Sequence, residues 1–479
     1  MASRPEPRMA LAPFVAAVAL TALLWWLGTG VAPLWWATWL ASLPVLVYAM
    51  RATLKRAFAA AFLGWAIGGL NVLDYDRMIH LPWSMIAVAI LVPALLYALA
   101  VLLARALALR GRAIAAALAL PALWTTFEFT LASLSPHGTF NNLAYTQMDA
   151  LPVIQIAAVC GIWAISFVVL LFSGAIAAWT APSTSRTAQR RLGVFAIAVF
   201  ALVFGYGSWR LHAVPAESGV PTKIGLASLA GPVRAKLESA EGQSLLKRYL
   251  VQLEKLADDG AQTIVIPETL FISPDSSIPE LAAFAQRRGV GLVAGVYYQK
   301  PGEPERNQAV WFAPGSGAAS PYNKQHLLPG FEDQYRPGDM FVSVAAPANS
   351  ALAVCKDMDF PALGRANADR GAHLLLVPAW DFELDGWLHS RMAILRGVES
   401  GFALARAARD GRLTLSDDRG RVLAEANSAY IDDAASVVGT LPVRDTQTLY
   451  ARWGDWFAWI VVAVFAGCLV LAAMRTRSR

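Results

Sequence analysis

A series of long apolar segments constrains the fold of this chain more than any other feature. Each of them is close to the length that an α-helix needs to cross a bilayer, at residues 10–29, 31–50, 57–73, 83–104, 113–131, 152–179, 192–208 and 454–474. The chain is 56% hydrophobic and its mean hydropathy is +0.46, which is too apolar for a soluble protein of 479 residues. We therefore predict a multi-span membrane protein with eight transmembrane helices. The first span is expected to be an uncleaved helix rather than a signal peptide, because seven more spans follow it.

One long polar segment separates the seventh apolar segment from the eighth. This pattern predicts a transmembrane domain of seven helices at 1–209, a polar domain at 210–453, and a closing helix with a basic tail at 454–479. Within the polar domain, apolar runs typical of buried strands alternate with amphipathic stretches typical of helices. This alternation predicts an α/β domain.

The basic residues indicate how the chain is oriented in the membrane. They occur on alternate loops and on both tails, at Arg4, Arg8, Arg51, Lys55, Arg56, Arg105, Arg110, Arg112, Arg186, Arg190, Arg191, Arg475, Arg477 and Arg479. The intervening short loops, 74–82 and 132–151, contain only Arg77 as a lysine or arginine. Because cytoplasmic loops carry an excess of such residues, both termini are expected in the cytoplasm and residues 210–453 on the outer face. In a bacterium this is the periplasm. The sequence pI of about 9.3 follows largely from these anchoring residues, so a nucleic-acid partner is not predicted.

Cys355 is the only cysteine in the polar domain, since Cys160 and Cys468 lie in apolar segments. It follows the strand-like residues Leu352–Val354 and precedes a charged turn that ends at Pro361. A lone cysteine in an oxidising compartment forms no internal disulfide and is exposed to oxidation. We interpret it as a nucleophile, and the alternative is a residue packed at the end of a strand.

Two further residues make a coherent chemical set with this thiol. Glu268 follows the apolar run Thr263–Pro267, and Lys324 lies between Tyr322 and His326. A carboxylate can accept the thiol proton, an ammonium can stabilise the thiolate and an oxyanion, and the sulfur can carry an acyl group.

The sequence around these residues resembles the nitrilase, or carbon–nitrogen hydrolase, superfamily. The words that carry the resemblance are P-E-T at Glu268, Y-N-K-x-H-L at Lys324 and V-C-K-D-M-D-F-P at Cys355. The stretch from Phe140 to Phe167 and the run Pro121–Phe129 are also similar to bacterial apolipoprotein N-acyltransferases, whose membrane arrangement matches nearly the whole chain. The resemblance implies that the polar domain is a four-layer α-β-β-α sandwich.

The resemblance also implies roles for particular residues. Glu268 matches the general base, Lys324 the catalytic lysine and Cys355 the nucleophile. Glu332 matches a second glutamate beside the triad, and Asp357 stands where the acyltransferases carry a glutamate. From the residues alone, Glu332 is also compatible with a solvated loop acid and Asp357 with a side chain that caps a turn.

The implied reaction moves a fatty acyl group from a membrane phospholipid, through a cysteine thioester, to the N-terminal amine of a diacylglyceryl-cysteine lipoprotein. The implied location is the bacterial inner membrane, with the catalytic domain on the periplasmic side. No cofactor or metal is implied, and no cluster in the sequence has metal-ligand spacing. Both lipid substrates are expected to enter between the polar domain and the membrane, past residues that are equally compatible with a core position: Phe271, Ile272, Trp380, Phe382 and Trp387.

The sequence departs from the acyltransferase pattern at several points. Cys355-Lys356-Asp357 replaces a Cys-Tyr-Glu word, and Pro378–Phe382 replaces Asn-Asp-x-Trp-Phe. These departures leave two alternatives open. One is a membrane-tethered amidase or nitrilase that passes the acyl group of a small amide to water, and the other is a catalytically silent, lipid-binding paralogue.

Three more ionisable residues have ordinary explanations that compete with a functional one. Glu128 lies near the outer end of the fifth span, where a carboxylate is either functional or close enough to the interface to reach water. His326 and His389 are expected to be structural or surface groups rather than catalytic ones.

Overall fold

A computed structural model describes residues 11–345 and 348–474. The basic residues of the two tails, on which part of the orientation argument depends, lie outside these ranges. The helices before the polar domain are, in chain order, α1 (Leu11–Gly28), α2 (Trp35–Ala41), α3 (Leu43–Ala49), α4 (Leu54–Gly68), α5 (Leu73–Met78), α6 (Trp83–Leu109), α7 (Ala113–Leu134), α8 (Leu151–Ile154), α9 (Ala157–Cys160), α10 (Trp163–Thr180) and α11 (Arg186–His212).

Seven helical segments in the described part of the chain are long and apolar enough to cross a membrane. They are Leu11–Gly28, Leu54–Met78, Trp83–Leu109, Ala113–Leu134, Trp163–Thr180, Arg186–His212 and Trp456–Ala473. The predicted span 31–50 is not one of them: the apolar helical segment in this region, Trp35–Ala49, is shorter than those seven, and it is interrupted at Ser42 between α2 and α3. Pro44, in the first turn of α3, lacks the N–H that a continuous helix would require there.

The predicted span 152–179 is also divided, and its first part lies outside the long helix. Gly161 has φ +69° and separates α9 from α10. A Cβ at this position would lie 2.4 Å from the ring of Tyr450, so the close approach of that ring requires a glycine. The long helix therefore begins only at Trp163.

Two glycines bring α1 and α4 into close, parallel contact. A Cβ at Gly64 would lie 2.7 Å from Thr21 Cγ2, and a Cβ at Gly68 would lie 2.5 Å from Trp25 Cβ. Both pairs advance along the two helices in the same direction. Gly64 and Gly68 are four residues apart, and small residues at this spacing are typical of closely packed membrane helices.

The polar domain contains two β-sheets. Its strands are β1 (Val220–Leu229), β2 (Ala235–Lys236), β3 (Thr263–Val265), β4 (Phe271–Ser273), β5 (Gly291–Tyr298), β6 (Arg306–Phe312), β7 (Ala319–Asn323), β8 (Ser343–Val344), β9 (Ser350–Leu352), β10 (Leu374–Trp380), β11 (Ala403–Arg409), β12 (Arg412–Ser416), β13 (Val422–Asn427) and β14 (Ala434–Val443). Its helices are α12 (Ala240–Asp258), α13 (Pro279–Arg288), α14 (Pro361–Asp369), α15 (Gly386–Ser400) and α16 (Leu449–Trp453), and α17 (Trp456–Ala473) returns to the bundle.

The sheets are stacked between two layers of helices. In the first sheet the strand order is β14-β1-β3-β5-β4-β2; in addition, β6 pairs with β5, and β7 pairs with β6. In the second sheet the order is β13-β12-β11-β10-β9-β8. Alternate side chains of each strand point to opposite faces, so Val265 packs between the sheets while Ile264 packs against α12 and α13. On the second sheet, Leu375 and Val377 pack against α14 and α15. The predicted α/β domain is confirmed, and its layers are ordered α-β-β-α.

The outer helical layer of the second sheet is continuous with the membrane bundle. One apolar cluster includes residues of α15, such as Ile394, together with α10 residues such as Ile165. Polar bonds cross the same boundary: Tyr75 Oη donates to Asp385 Oδ2 at 2.8 Å, and Ile162 N donates to Glu399 Oε1 at 2.7 Å. The polar domain is thus packed firmly onto one end of the bundle.

Candidate active site

Three buried side chains form the centre of the site. Lys324 Nζ lies 2.8 Å from Glu268 Oε1 and 2.8 Å from Glu332 Oε2. All three residues are at most 6% exposed. The sequence analysis left open a solvated position for Glu332, and the structure instead places this carboxylate inside the site.

Each of the predicted triad residues follows the carboxyl end of a strand. Glu268 follows β3, Lys324 follows β7 and Cys355 follows β9. Two neighbouring carbonyl groups at the end of β10 connect the first and last of these: Glu268 N donates to Ala379 O at 3.3 Å, and Cys355 Sγ donates to Trp380 O at 3.4 Å. The end of β10 therefore brings the carboxylate and the thiol to one place between the two sheets.

The backbone at Cys355 is held in an unfavourable conformation. Its φ is +42°, in the left-handed region that non-glycine residues rarely occupy, and Thr269, next to Glu268, has φ +46°. Residues held this way cluster at functional sites, where the surrounding structure maintains the strain. The strained residue Cys355 is the first residue of the 3₁₀ turn Cys355–Asp359, which follows β9.

Burial and neighbouring charges set the protonation states of these groups. Burial and the Glu268 carboxylate raise the pKa of the Cys355 thiol well above its usual value, and this outweighs the opposite effect of Lys324. Burial also raises the pKa of Glu268. Lys324 lowers this pKa, and the charge of Glu332 raises it. Burial by itself lowers the pKa of Lys324, but Glu268 and Glu332 raise it well above the usual value. The resting site therefore holds a protonated thiol, a permanently charged ammonium and a carboxylate of enhanced basicity.

Asp357 connects the strand end that carries Lys324 to the turn that carries Cys355. Its Oδ2 accepts hydrogen bonds from Tyr322 Oη at 2.8 Å and Val354 N at 3.0 Å. Its Oδ1 accepts from the backbone N of Gln325 at 3.2 Å and of His326 at 2.9 Å. Asp357 is fully buried, so it caps the turn and also fixes the two strand ends relative to each other.

Lys356 faces the membrane bundle. Its Nζ lies 3.3 Å from Asp359 Oδ2 and 3.5 Å from Nδ1 of His137, which is in the loop after α7. Of the two charged side chains in Cys355-Lys356-Asp357, that of Asp357 thus lies in the site and that of Lys356 lies at the boundary with the bundle.

Asn307 is a member of the central cluster that the sequence analysis missed. Its Nδ2 donates to Glu268 Oε1 at 2.6 Å and to Glu332 Oε1 at 2.7 Å. It holds the two carboxylates on either side of Lys324. Its signal in the sequence is a polar amide at the start of strand β6, just before the apolar run Ala309–Phe312, where a buried amide needs a hydrogen-bond partner.

Arg406 and Asp381 were also missed. They form a buried, two-pronged ion pair in which Arg406 Nη1 donates to Asp381 Oδ2 at 2.9 Å. Charge on Arg406 lowers the pKa of the Cys355 thiol, whereas burial raises it more strongly. An arginine inside the apolar run Ala403–Ala408 is the signal that could have found this pair, since a buried charge requires a partner.

The remaining ionisable residues singled out in the sequence have structural contacts. Glu128 is buried and its Oε1 accepts from Trp124 Nε1 at 3.1 Å and from Leu143 N at 2.8 Å, so it anchors the loop after α7. His326 stacks on Phe360 with ring centroids 3.7 Å apart.

His389 forms an ion pair at the boundary with the bundle. Its Nε2 lies 3.0 Å from Asp385 Oδ2, the oxygen that also accepts from Tyr75. Burial by itself lowers the pKa of His389, but the carboxylates of Asp385 and Asp381 raise it to about 9.

The residues expected to line a lipid entrance fall into two groups. Phe271 is fully buried and packs against Tyr249, so it belongs to the core beside α12. Ile272, Trp380, Phe382 and Trp387 are partly exposed. Phe382 contacts the exposed Phe331, with ring centroids 5.2 Å apart.

Comparisons with protein families match both parts of the chain. Residues 21–175 match the apolipoprotein N-acyltransferase N-terminal domain, and residues 238–453 match the carbon-nitrogen hydrolase family. An apolipoprotein N-acyltransferase of Geobacter metallireducens is 25% identical, over 94% of this chain and 92% of its own. One of Brucella melitensis is 26% identical over 88% of both chains. Among solved structures, a variant of the Nesterenkonia AN1 amidase from the nitrilase superfamily aligns with 50% of this chain and 95% of its own, at 23% identity and a TM-score of 0.39.

Proposed function

Because the chain belongs to the apolipoprotein N-acyltransferase family, we propose that it transfers a fatty acyl group from a membrane phospholipid to the N-terminal amine of a diacylglyceryl-cysteine lipoprotein. The observation that carries this proposal is the buried Glu268–Lys324–Glu332 cluster beside Cys355, in a domain that is packed onto membrane helices. A domain held at the membrane meets acyl chains without extracting them into water.

In the first step, Glu268 accepts the proton of the Cys355 thiol and the sulfur attacks the carbonyl carbon of a phospholipid ester. A base is needed because the raised pKa keeps the free thiol protonated. Lys324 stabilises the negative oxygen of the tetrahedral intermediate. The ester C–O bond then breaks, the lysophospholipid leaves with the proton from Glu268, and a thioester remains on Cys355.

In the second step, the amine of the lipoprotein attacks the thioester carbonyl. Glu268 takes a proton from the attacking nitrogen, an amide bond forms and the C–S bond breaks. The departing sulfur of Cys355 recovers that proton, which restores the resting site. Glu332, Asn307 and Asp357 act as positioning residues that hold Lys324, Glu268 and the Cys355 turn in register.

The proposal includes eight membrane crossings and the three-part division at 1–209, 210–453 and 454–479. Because α1 and α4 are parallel, the chain between them has to return from one end of the bundle to the other. α4 starts beside Ala52, whose carbonyl accepts from Arg105, and leads toward Tyr75, which contacts the polar domain. α2 and α3 therefore supply a crossing as a divided helix.

The charge distribution supports placing the polar domain in the periplasm and the bundle in the inner membrane. Arg51 donates to Thr180 O and Ser183 donates to Ala108 O, so three basic loops meet at one end of the bundle. The polar domain packs on the opposite end. A positive end in the cytoplasm puts the domain outside.

The test is intact-mass spectrometry of the purified protein after incubation with phospholipid vesicles. Wild type should gain one long-chain acyl mass, and a diacylglyceryl lipopeptide with a free amine should remove it faster than water does. Cys355→Ala should gain no mass, whereas Cys160→Ala, which changes a buried thiol of the bundle, should behave as wild type. Discharge by water at the same rate would favour a tethered hydrolase, and absence of an adduct on wild type would contradict the proposal.

A further inference from the structure

Arg234 presents a cation beside the active site among three aromatic rings. Its Cζ lies 5.4 Å from the ring centroid of Trp380, 5.7 Å from that of Tyr335 and 6.0 Å from that of Tyr297. We call these three rings the aromatic cradle. The contacts are cation–π interactions, which hold a guanidinium in place without neutralising its charge.

The charge of Arg234 has no counterion in the described part of the protein. Its Nε is buried and makes no hydrogen bond there, and no described carboxylate forms an ion pair with the guanidinium. Tyr335 Oη, on a residue only 4% exposed, is also buried and makes no hydrogen bond of ordinary geometry to a described residue, although the Gln334 side chain lies close enough to lower its pKa. Unpaired buried donors are costly, so two of them side by side point to an acceptor supplied by a ligand.

The aromatic cradle is directly connected to the reacting groups. The carbonyl of Trp380 accepts from Cys355 Sγ, and Tyr335 N donates to Glu332 O at 3.0 Å. Trp380 and Tyr335 thus contact the site through their backbone while their rings hold Arg234, so a ligand on Arg234 would lie in the same region of the fold as the thiol.

The loop that carries Arg234 is fixed in position. Arg409 donates to Gly231 O and to Pro232 O, just before Arg234, and its Nε lies 3.2 Å from Asp410 Oδ2. The same oxygen accepts from Trp380 Nε1 at 3.0 Å. Arg234 itself has φ +53°, an unfavourable backbone conformation that these anchors maintain. Arg409 and Asp410 thus hold both the loop of Arg234 and the ring of Trp380 in position.

We propose that Arg234 and Tyr335 bind the phosphodiester group of the acyl donor. This inference rests on the proposed function and adds the recognition of the donor's anionic group. A guanidinium matches two oxygens of a phosphate with parallel hydrogen bonds. In a glycerophospholipid the phosphate is only a few covalent bonds from the acyl ester, so one molecule reaches both Arg234 and Cys355.

The experiment compares two donors that carry the same two acyl esters and differ in the phosphodiester. Detergent-solubilised wild type and Arg234→Gln are mixed with dioleoylphosphatidylglycerol or dioleoylglycerol, and the rate of thioester formation on Cys355 is followed by intact mass. Arg287→Gln, which removes an exposed arginine of α13, is the control for the change in net charge. A second variant, Arg234→Lys, keeps the charge but loses the two-pronged geometry.

With the phospholipid, Arg234→Gln should lower kcat/KM for thioester formation roughly tenfold or more, mainly through KM, and Arg234→Lys should recover part of it. With dioleoylglycerol, both variants should match wild type. Discharge of a preformed thioester by lipopeptide should not change.

Equal slowing with both donors, or none with either, would overturn the inference while the thioester on wild type still stands. Absence of a thioester on wild type would instead overturn the proposed function. Inorganic phosphate is added to a further dioleoylglycerol reaction. Stimulation that Arg234→Gln abolishes would assign the aromatic cradle to free phosphate rather than to the donor, which also overturns the inference.

Discussion

Lys324 is shared by two carboxylates, and this sharing sets the basicity of the site. Glu268 and Glu332 both contact its Nζ, and Asn307 holds the two acids apart. With one ammonium between two acids, the charge of Glu332 offsets part of the effect of Lys324 and helps to raise the pKa of Glu268, which burial raises most. Glu268 has to remain basic because, in the proposed mechanism, it accepts the proton of the Cys355 thiol.

We expect Glu332→Gln to lower acyl transfer at least about tenfold and to move the acidic limb of its pH profile to lower pH. Burial raises the pKa of Glu268, Lys324 lowers it, and the charge of Glu332 raises it again. Removing that last charge leaves Glu268 a weaker base that loses its proton at lower pH. The measurement is kcat/KM for thioester formation against pH, and a limb that stays in place or moves to higher pH would contradict the assignment of Glu268 as the base.

Asp357 explains why Cys355-Lys356-Asp357, in place of the Cys-Tyr-Glu of the acyltransferases, is compatible with a formed site. A carboxylate at this position accepts four backbone or side-chain donors that belong to both strand ends. In the proposed mechanism, Asp357 positions Lys324 and Cys355 and does not contact the substrate. Lys356, the other changed residue, contributes to the boundary with the bundle.

At the scale of elements, the loop after α7 controls the turn that carries Cys355. Thr139 N and Thr139 Oγ1 both donate to the carbonyl of Asp359, at the end of that turn. Gly138, just before it, has φ +55°, and a Cβ there would lie 2.6 Å from Asp359 O. The loop after α7 is therefore in backbone contact with the turn that carries Cys355.

Gly138→Ala should destabilise the protein by roughly 2–3 kcal/mol and slow thioester formation, because the new methyl group displaces the loop from Asp359. Gly111→Ala is the matched control: Gly111 also has a positive φ, +70°, but nothing lies within 4 Å of its missing Cβ. This control should cost only about 1 kcal/mol for the backbone conformation and leave the chemistry unchanged. The measurements are thermal unfolding in detergent and the acylation rate, and equal effects of both substitutions would show that the contact with Asp359 is unimportant.

At the scale of the whole molecule, the bundle has one basic end and one end covered by the catalytic domain. Loops that are far apart in sequence, near Ala52, Ala108 and Thr180, are hydrogen-bonded to one another at the basic end. Residues of α5 and of the segment before α10 contact the catalytic domain at the other end. This polarity supports the proposed orientation in the membrane.

We expect a membrane-impermeant maleimide to label Glu303→Cys, in an exposed turn of the catalytic domain, in intact spheroplasts. Thr187→Cys, exposed at the start of α11, should be labelled only after permeabilisation. Both substitutions leave the basic loop residues unchanged and are made on Cys355→Ser, so that the catalytic thiol does not react. The reverse labelling pattern would place the catalytic domain in the cytoplasm and overturn the proposed orientation.

The sequence by itself determined the parts of this protein that depend on local pattern. Apolar segments of bilayer length predicted the helical bundle, and the alternation of strands and helices predicted the α/β domain, because hydrophobic periodicity is a property of consecutive residues. The positions of Glu268, Lys324 and Cys355 at strand ends were likewise visible from the residues on either side. The catalytic roles given to them are still predictions.

Only the tertiary structure decided which distant residues meet. The division of the second and sixth spans depends on Pro44 and on the ring of Tyr450 against Gly161. The placing of Glu332 inside the site and the contact of Asn307 with two carboxylates depend on strands that are separated in sequence. Nothing in the local sequence distinguishes Arg234 from other arginines. Its unpaired charge became visible only when three aromatic rings from three segments were found around it. Such features follow from burial and pairing across the fold, and a linear sequence does not specify those contacts.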